Sequence, residues 1–253
     1  MEKVLEIKGL TKRYRNNRGI FDINLSVYKG DIFGLFGPNG VGKTTLIKTM
    51  TRLCNADQGE VSMFGYDVFL QFEKAMEKVG CIIETGVSFE YMTAFQNLQV
   101  VSRFYPHIPK TRIDEVLELV GLEKYKNEKV KGFSSGMKQR LALATALFSN
   151  PELVILDEPT SSMDIEGMID FRNIIKRLSH EQQTTFFISS HFIHEMERMC
   201  NRIGILYDGR LITSGLVSEI INKNESLENY YLSQIQRVRG DESDVCFVRE
   251  YNQ

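Results

Sequence analysis

Gly37-Pro38-Asn39-Gly40-Val41-Gly42-Lys43-Thr44-Thr45 satisfies the pattern G-x-x-x-x-G-K-[ST] at every specified position. The apolar run Asp31 to Phe36 precedes it and reads as a strand, and Leu46, Ile47, Met50 and Leu53 follow at helical spacing. Strand, glycine-rich turn and helix form the context in which this pattern cradles phosphate. Residues Gly37 to Gly42 turn successive backbone N–H groups into one concavity, and the helix start adds partial positive charge. Lys43 is then placed to reach the β- and γ-phosphates of a nucleotide and the Thr44 hydroxyl to sit on Mg²⁺, with Thr45 closing the motif. A glycine-rich turn with a surface lysine is the competing reading, and the register of both flanks disfavours it. The loop alone leaves small kinases, GTPases and many ATPases open.

Outward from the loop, the periodicity changes twice. Phe21, Ile23, Leu25 and Val27 alternate with polar residues, the pattern of a half-buried strand, and Gly59 to Gly65 brackets another. From about Thr93 to Asn150 the spacing becomes helical: Ile113, Val116, Leu117 and Val120 share one face, with Gly121 as the stop, and Met137 to Ser149 forms a second helix. After Pro151, strands and helices alternate as Leu153–Asp157, Ile165–Leu178, Thr184–Ser189 and Ile193–Cys200, which predicts a parallel sheet covered by helices. Tyr207-Asp208-Gly209-Arg210 reads as a tight hairpin, and the last forty residues as one or two helices and a solvated tail from Gly240. The expectation is an α/β core interrupted by a mainly helical insertion.

Leu153-Val154-Ile155-Leu156 ends in Asp157-Glu158. A strand buried on both faces cannot keep a carboxylate inside unpaired, so the two acids emerge at its C-terminal edge, where parallel sheets bind ligands. Asp157 fits a partner of Mg²⁺, and Glu158 an acid that orients or deprotonates the attacking water.

Between these sites lies Phe133-Ser134-Ser135-Gly136-Met137-Lys138-Gln139-Arg140. Here the sequence resembles the nucleotide-binding subunits of ABC transporters, over about Leu5 to Leu232. The order carries the resemblance: the phosphate loop, the signature segment with Ser134 lying 23 residues before Asp157, Pro159 to Asp164 directly after it, and His191 34 residues beyond Asp157. The resemblance implies a P-loop NTPase (RecA-like) parallel-sheet core, an N-terminal antiparallel β subdomain and an inserted α-helical subdomain. It divides the chain into residues 1–84 with 151–215 as the ATP-binding core, 85–150 as the helical subdomain and 216–253 as a C-terminal helical tail.

The resemblance also implies roles. Tyr14 matches the aromatic that stacks on adenine. Ser134, Ser135, Gly136 and Met137 match the signature that contacts ATP held by a second copy, in an ATP-sandwich homodimer. Asp164 matches the residue coupling the two sites across that dimer, and His191 the switch histidine near Glu158. Two departures stand out. Ser135 and Met137 replace the usual glycine and glutamine of Leu-Ser-Gly-Gly-Gln, and Glu84, ending the strand Val79 to Ile83, replaces the usual glutamine. Together with Ser134 to Gln139, Glu84 is similar to the bacitracin-export and lantibiotic-immunity branch. A carboxylate is tolerable there because Mg²⁺ offsets it, while an ordinary exposed acid is the competing reading. Phe89, Tyr91 and Met92 suit either a groove for a permease helix or the core of the helical lobe.

Composition narrows the setting. The 31 Lys and Arg against 33 Asp and Glu leave a net charge of −2, so no electrostatic footprint for nucleic acid is expected. The strongly apolar stretch Leu141 to Phe148 is too short to span a bilayer, and the start of the chain lacks a signal-peptide core. Cys54, Cys81, Cys200 and Cys246 form no Cys-x-x-Cys pair and read as reduced thiols. With these exclusions, the resemblance implies that the chain is the cytosolic, ATP-hydrolysing motor of a transporter whose permease is another polypeptide, at the cytoplasmic face of the membrane. Export of, or immunity to, an antimicrobial peptide follows from the branch resemblance alone, with ion, drug or lipid export as the alternative. An ABC ATPase acting on DNA or ribosomes is disfavoured, since the 113 residues between Lys43 and Asp157 hold no heptads and the 253 residues hold only one cassette.

Overall fold

The chain folds onto two sheets in a computed structural model that describes residues 2–84, 88–224 and 226–250, with only the backbone path described for 222–224 and 239–250. In chain order the elements are β1 (Lys3–Arg13), β2 (Gly19–Tyr28), β3 (Ile32–Phe36), α1 (Lys43–Met50), β4 (Gln58–Met63), β5 (Tyr66–Asp67), α2 (Phe72–Met76) and β6 (Val79–Ile82). Helices α3 (Ala94–Ser102), α4 (Arg112–Leu119) and α5 (Ser135–Leu147) follow. Then come β7 (Leu153–Leu156), α6 (Ile165–Gln182), β8 (Thr185–Ser190), α7 (Ile193–Met199), β9 (Arg202–Tyr207), β10 (Arg210–Leu216), α8 (Val217–Asn224) and α9 (Leu227–Glu250). One sheet is antiparallel in the order β2-β1-β4-β5, and the other runs β10-β9-β3-β8-β7-β6. Within the second, β9, β3, β8, β7 and β6 are parallel and only the edge strand β10 is antiparallel.

Every residue of β3, β7 and β8 is buried. Strands covered on both faces must be apolar throughout, which is why these runs show no alternation. One face packs Phe33, Leu35, Ile155 and Phe187 against α1 and the antiparallel sheet; the other packs Phe36, Leu156, Phe186 and Ile188 against the helices. The C-terminal ends of β3, β8 and β7 therefore emerge together between two apolar layers, and the polar residues there are forced to a common edge.

Three details depart from the sequence expectation. Asp22 adopts a left-handed backbone (φ 51), so the alternation slips one residue and Ile20, not Phe21, turns into the core. Phe21 instead lies under Arg13 and Arg210, at 5.5 and 5.8 Å. Helix α6 runs past Leu178 to Gln182, with Ser179 buried and donating to the Gly30 carbonyl and the polar residues after it in solvent, and Gln183 ends it in the left-handed region. Helix α9 continues through Gly240 to Glu250 where a tail was expected; a single helical glycine costs only about 1 kcal/mol. The side chain of Cys246, together with Thr85 and residues 251–253, lies outside the described residues. The β9–β10 turn is the expected hairpin, Asp208 and Gly209 both having positive φ (45 and 72) as a type I′ turn requires.

Candidate functional site

The phosphate loop leaves β3 at Phe36 and enters α1 at Lys43. Gly42 caps α1 at φ 114 with no side-chain hydrogen bond, and no acid lies in the first turn. The first N–H groups of α1 thus meet no capping side chain and face the concavity. A side chain at Gly42 is excluded twice over, by its φ and by Ile20 Cγ2, 2.9 Å from where a Cβ would stand.

Lys43 is buried beneath the loop. Its ammonium donates to the carbonyls of Gly37 (2.6 Å) and Pro38 (3.2 Å) and lies 3.0 Å from Glu158 Oε1. That last contact has ion-pair distance without hydrogen-bond geometry, so Oε1 is a buried oxygen with no hydrogen-bond partner. The other oxygen, Oε2, lies 2.8 Å from His191 Nδ1. An ionised carboxylate only accepts, so the ring proton between them belongs to Nδ1. Glu158 itself sits at φ 47, a left-handed conformation that non-glycine residues rarely hold and that concentrates at functional sites.

Ser189, at the end of β8, ties the two acids together. Its hydroxyl donates to Asp157 Oδ1 at 2.6 Å and accepts from the Glu158 N–H at 2.9 Å. The next residue, Ser190, accepts from the Gly37 N–H through its carbonyl. Neither serine was assigned a role from sequence; two hydroxyls at the end of an apolar strand beside His191 were the available signal. Lys43, Asp157, Glu158 and His191, from three adjoining strand ends, thus meet at one place.

Glu84 lies just beyond β6 at φ 64 and pairs with Lys48 of α1. That hydrogen bond holds the Lys48 ammonium above its ordinary range against partial desolvation, with Tyr14 and Asp157 adding weaker attraction. Glu84 thus flanks the same lysine as Asp157. Among the described residues no three His, Cys, Asp or Glu side chains converge as a metal cage. Mg²⁺ characteristically takes one or two protein oxygens and fills its shell with phosphate and water, so the Asp157 and Thr44 oxygens fit it. Tyr14 is 41% exposed, its hydroxyl 3.7 Å from Cys54 Sγ and the Lys12 ammonium 5.9 Å over its ring.

The signature segment lies elsewhere in the same chain. Ser134 caps α5, its hydroxyl accepting from the Met137 N–H at 3.2 Å, and no acid occupies the first turn. Asp164 caps α6 by accepting from the Gly167 N–H at 2.9 Å. The two helix starts adjoin, a Cβ on Gly136 standing 3.7 Å from Gly167 Cα. Among the described residues no hydrogen bond or ion pair joins Ser134, Ser135, Gly136, Met137 or Asp164 to Lys43, Glu158 or His191.

The segment after Glu84 is laced to the approach of the signature. Lys131 and Val130 N–H groups donate to the Glu90 and Met92 carbonyls, and Ala94 and Phe95 to those of Glu128 and Lys126. Lys138 of α5 adds an ion pair with Glu90. Phe89 and Tyr91 are exposed, 44% and 68%, which removes them from the core.

Comparison with known proteins agrees with this geometry. Residues 20–161 match the family model of the ABC transporter. The chain is 39% identical over 233 residues to the bacitracin transport ATP-binding protein BcrA of Enterococcus faecalis, covering 92% of this chain and 76% of that one. It is 34% identical over 232 residues to the lantibiotic transport ATP-binding protein SrtF of Streptococcus pyogenes, covering 92% and 97%. A solved ATP binding subunit of an ABC transporter superposes with a TM-score of 0.78 at 27% identity, over 92% of this chain and 99% of that one. A phosphate loop whose lysine meets a carboxylate–histidine pair, on a fold and sequence shared with these proteins, makes the chain a member of the ABC transporter family, an ATP-binding subunit and an ATPase.

Proposed function

We propose that two copies of this chain hold ATP between the phosphate loop of one and Ser134 to Met137 of the other, and that its hydrolysis drives a separate membrane permease. The observation that carries this reading is the split of the site. Lys43, Asp157, Glu158 and His191 are assembled within one chain, whereas among the described residues the start of α5, with no acid in its first turn, makes no hydrogen bond or ion pair with Lys43, Glu158 or His191. A second, antiparallel copy supplies that helix start to a bound triphosphate at low electrostatic cost.

In this mechanism the first N–H groups of α1 and the Lys43 ammonium bind the β- and γ-phosphates, Lys43 exchanging its contact with Glu158 for the nucleotide. Tyr14 stacks on the base. Thr44 and Asp157 would hold Mg²⁺, joined by Glu84 once it leaves Lys48, and the ion would supply neutralisation of phosphate charge. Glu158, freed at Oε1, accepts a proton from the attacking water, and His191 Nδ1–H keeps its carboxylate oriented. Asp164, at the start of α6, reports the state of one site to the other. Loss of the γ-phosphate removes the contacts that close the pair.

Residues 1–84 and 151–215 act as the ATP-binding core, 85–150 as the helical lobe and 216–253 as a C-terminal helical extension. Among the described residues no helix is long and apolar enough to cross a membrane. The likeness to transport ATP-binding proteins supports a permease on another polypeptide, with the motor at its cytoplasmic face. The chain's likeness to BcrA, a bacitracin transport protein, and SrtF, a lantibiotic transport protein, supports a peptide antibiotic as cargo. Glu158→Gln mixed with ATP and Mg²⁺, with the permease present, tests the reading by light scattering. A nucleotide-dependent doubling of mass is expected; a chain that stays single, or binds no nucleotide, overturns it.

A further inference from the structure

Helix α9 touches both arms of the site. Tyr231, in its second turn, meets Phe36 edge-on, with ring centroids 5.0 Å apart and planes at 89°. Phe36 is the last residue of β3, so its ring anchors the root of the phosphate loop at Gly37. On the other side, the Leu227 N–H donates to Glu197 Oε2 at 3.1 Å. Glu197 belongs to α7, which begins at Ile193, two residues beyond His191. The same helix is held from its opposite flank by Arg172 of α6, 3.2 Å from Glu195. Tyr230 fixes α9 to β10 through a 2.7 Å contact between its hydroxyl and Thr213 Oγ1. Leu227, Met196, Met199 and Phe36 belong to one buried cluster, against which Tyr230 and Tyr231 pack.

We propose that the start of α9 is a brace setting the spacing between the phosphate loop and His191. Tyr231 positions Gly37 to Lys43 through Phe36, and Glu197 positions His191 through α7. Close-packed interiors pass displacements on, and misplacement of a reacting group by about 1 Å can cost ~10²-fold in rate. The proposal rests on the assignment of Lys43, Glu158 and His191 made above, and it adds two positioning residues outside the nucleotide contacts.

The test uses the full chain and measures ATP affinity by titration beside kcat and KM for ATP hydrolysis. Tyr231→Ala is expected to raise KM and the dissociation constant ~3- to 10-fold with a smaller change in kcat, and Tyr231→Phe to restore both, because the ring carries the contact. Glu197→Ala is expected to lower kcat ~3- to 10-fold at unchanged nucleotide affinity, and Glu197→Gln to restore it, since its amide oxygen still accepts from Leu227. Unchanged constants in the folded alanine variants overturn the brace, as do Phe and Gln variants that fail alongside them. Should Tyr231→Ala not fold, the Glu197 pair decides alone. Glu158→Gln runs in parallel: turnover that survives it overturns the site assignment, whereas its loss beside unaffected brace variants overturns the brace only.

Discussion

Replacing Glu158 with Gln should abolish turnover and, at the same time, tighten nucleotide binding. Without nucleotide, the Glu158 carboxylate faces the Lys43 ammonium at 3.0 Å. Coulomb's law at that distance and an effective dielectric of ~20 gives about 5 kcal/mol of gross attraction. Most of this is recovered on separation, since Lys43 keeps its hydrogen bonds to Gly37 and Pro38 and the side chain of Glu158 is 22% exposed and regains water. A net competition of about 1 kcal/mol, ~5-fold in the dissociation constant, remains. Removing a negative charge beside a triphosphate acts in the same direction, so ~5- to 30-fold tighter binding is expected together with a ~10²- to 10⁴-fold fall in kcat. Glutamine keeps the shape and tolerates the left-handed backbone no worse than glutamate, so folding is not the variable. Calorimetric titration of ATP with Mg²⁺ into wild type, Glu158→Gln and Glu158→Ala measures it. Equal or weaker binding by both variants would refute the competition between Glu158 and phosphate for Lys43.

Three further outcomes follow from packing and charge. In Gly80→Ala the new methyl would stand 2.2 Å from the Ala146 carbonyl oxygen, forcing α5 away from β6 at a cost of about 2–3 kcal/mol; a urea midpoint equal to wild type would contradict this. Ser134→Ala removes the α5 cap, about 1 kcal/mol of stability and ~2–4 °C in Tm for a chain of this size, measured by calorimetry; an unshifted Tm would show the cap is idle. Burial pushes the Cys81 thiol up from 9.0 to about 12 and that of Cys200 further in the same direction. The folded chain keeps these protons where the unfolded chain releases them, so their contribution is intact below pH 9 and lost as pH climbs toward 12. Urea midpoints at pH 8 and 10.5 should fall more in wild type than in a Cys81→Ala, Cys200→Ala double variant.

What could be read from the sequence was what neighbouring residues decide. The phosphate loop, the Asp208-Gly209 turn and the buried run Leu153 to Leu156 each depend on a few consecutive residues whose chemistry admits one local answer. What could not be read depends on distant partners. The inversion of Ile20 and Phe21 follows from one left-handed residue in a paired strand. The Lys48 partner of Glu84 comes from the helix of the phosphate loop, 36 residues away, and Ser189 gains its role only once β8 lies between β3 and β7. The meeting of Tyr231 with Phe36 joins opposite ends of the chain, and no periodicity records it.

The lacing between residues 90–95 and 126–131 has a mechanical meaning. Its four backbone bonds run antiparallel from the Glu90–Lys131 rung to the Phe95–Lys126 rung, so a load that parts Glu90 from Lys131 falls on that rung first. The exposed aromatics at Phe89 and Tyr91 and the cap at Ser134 therefore lie toward the same end of the ladder, beside the Glu90–Lys131 rung. The Glu90–Lys131 rung and the Lys138–Glu90 ion pair keep these aromatics close to the start of α5, so a variant that cut both would loosen one from the other.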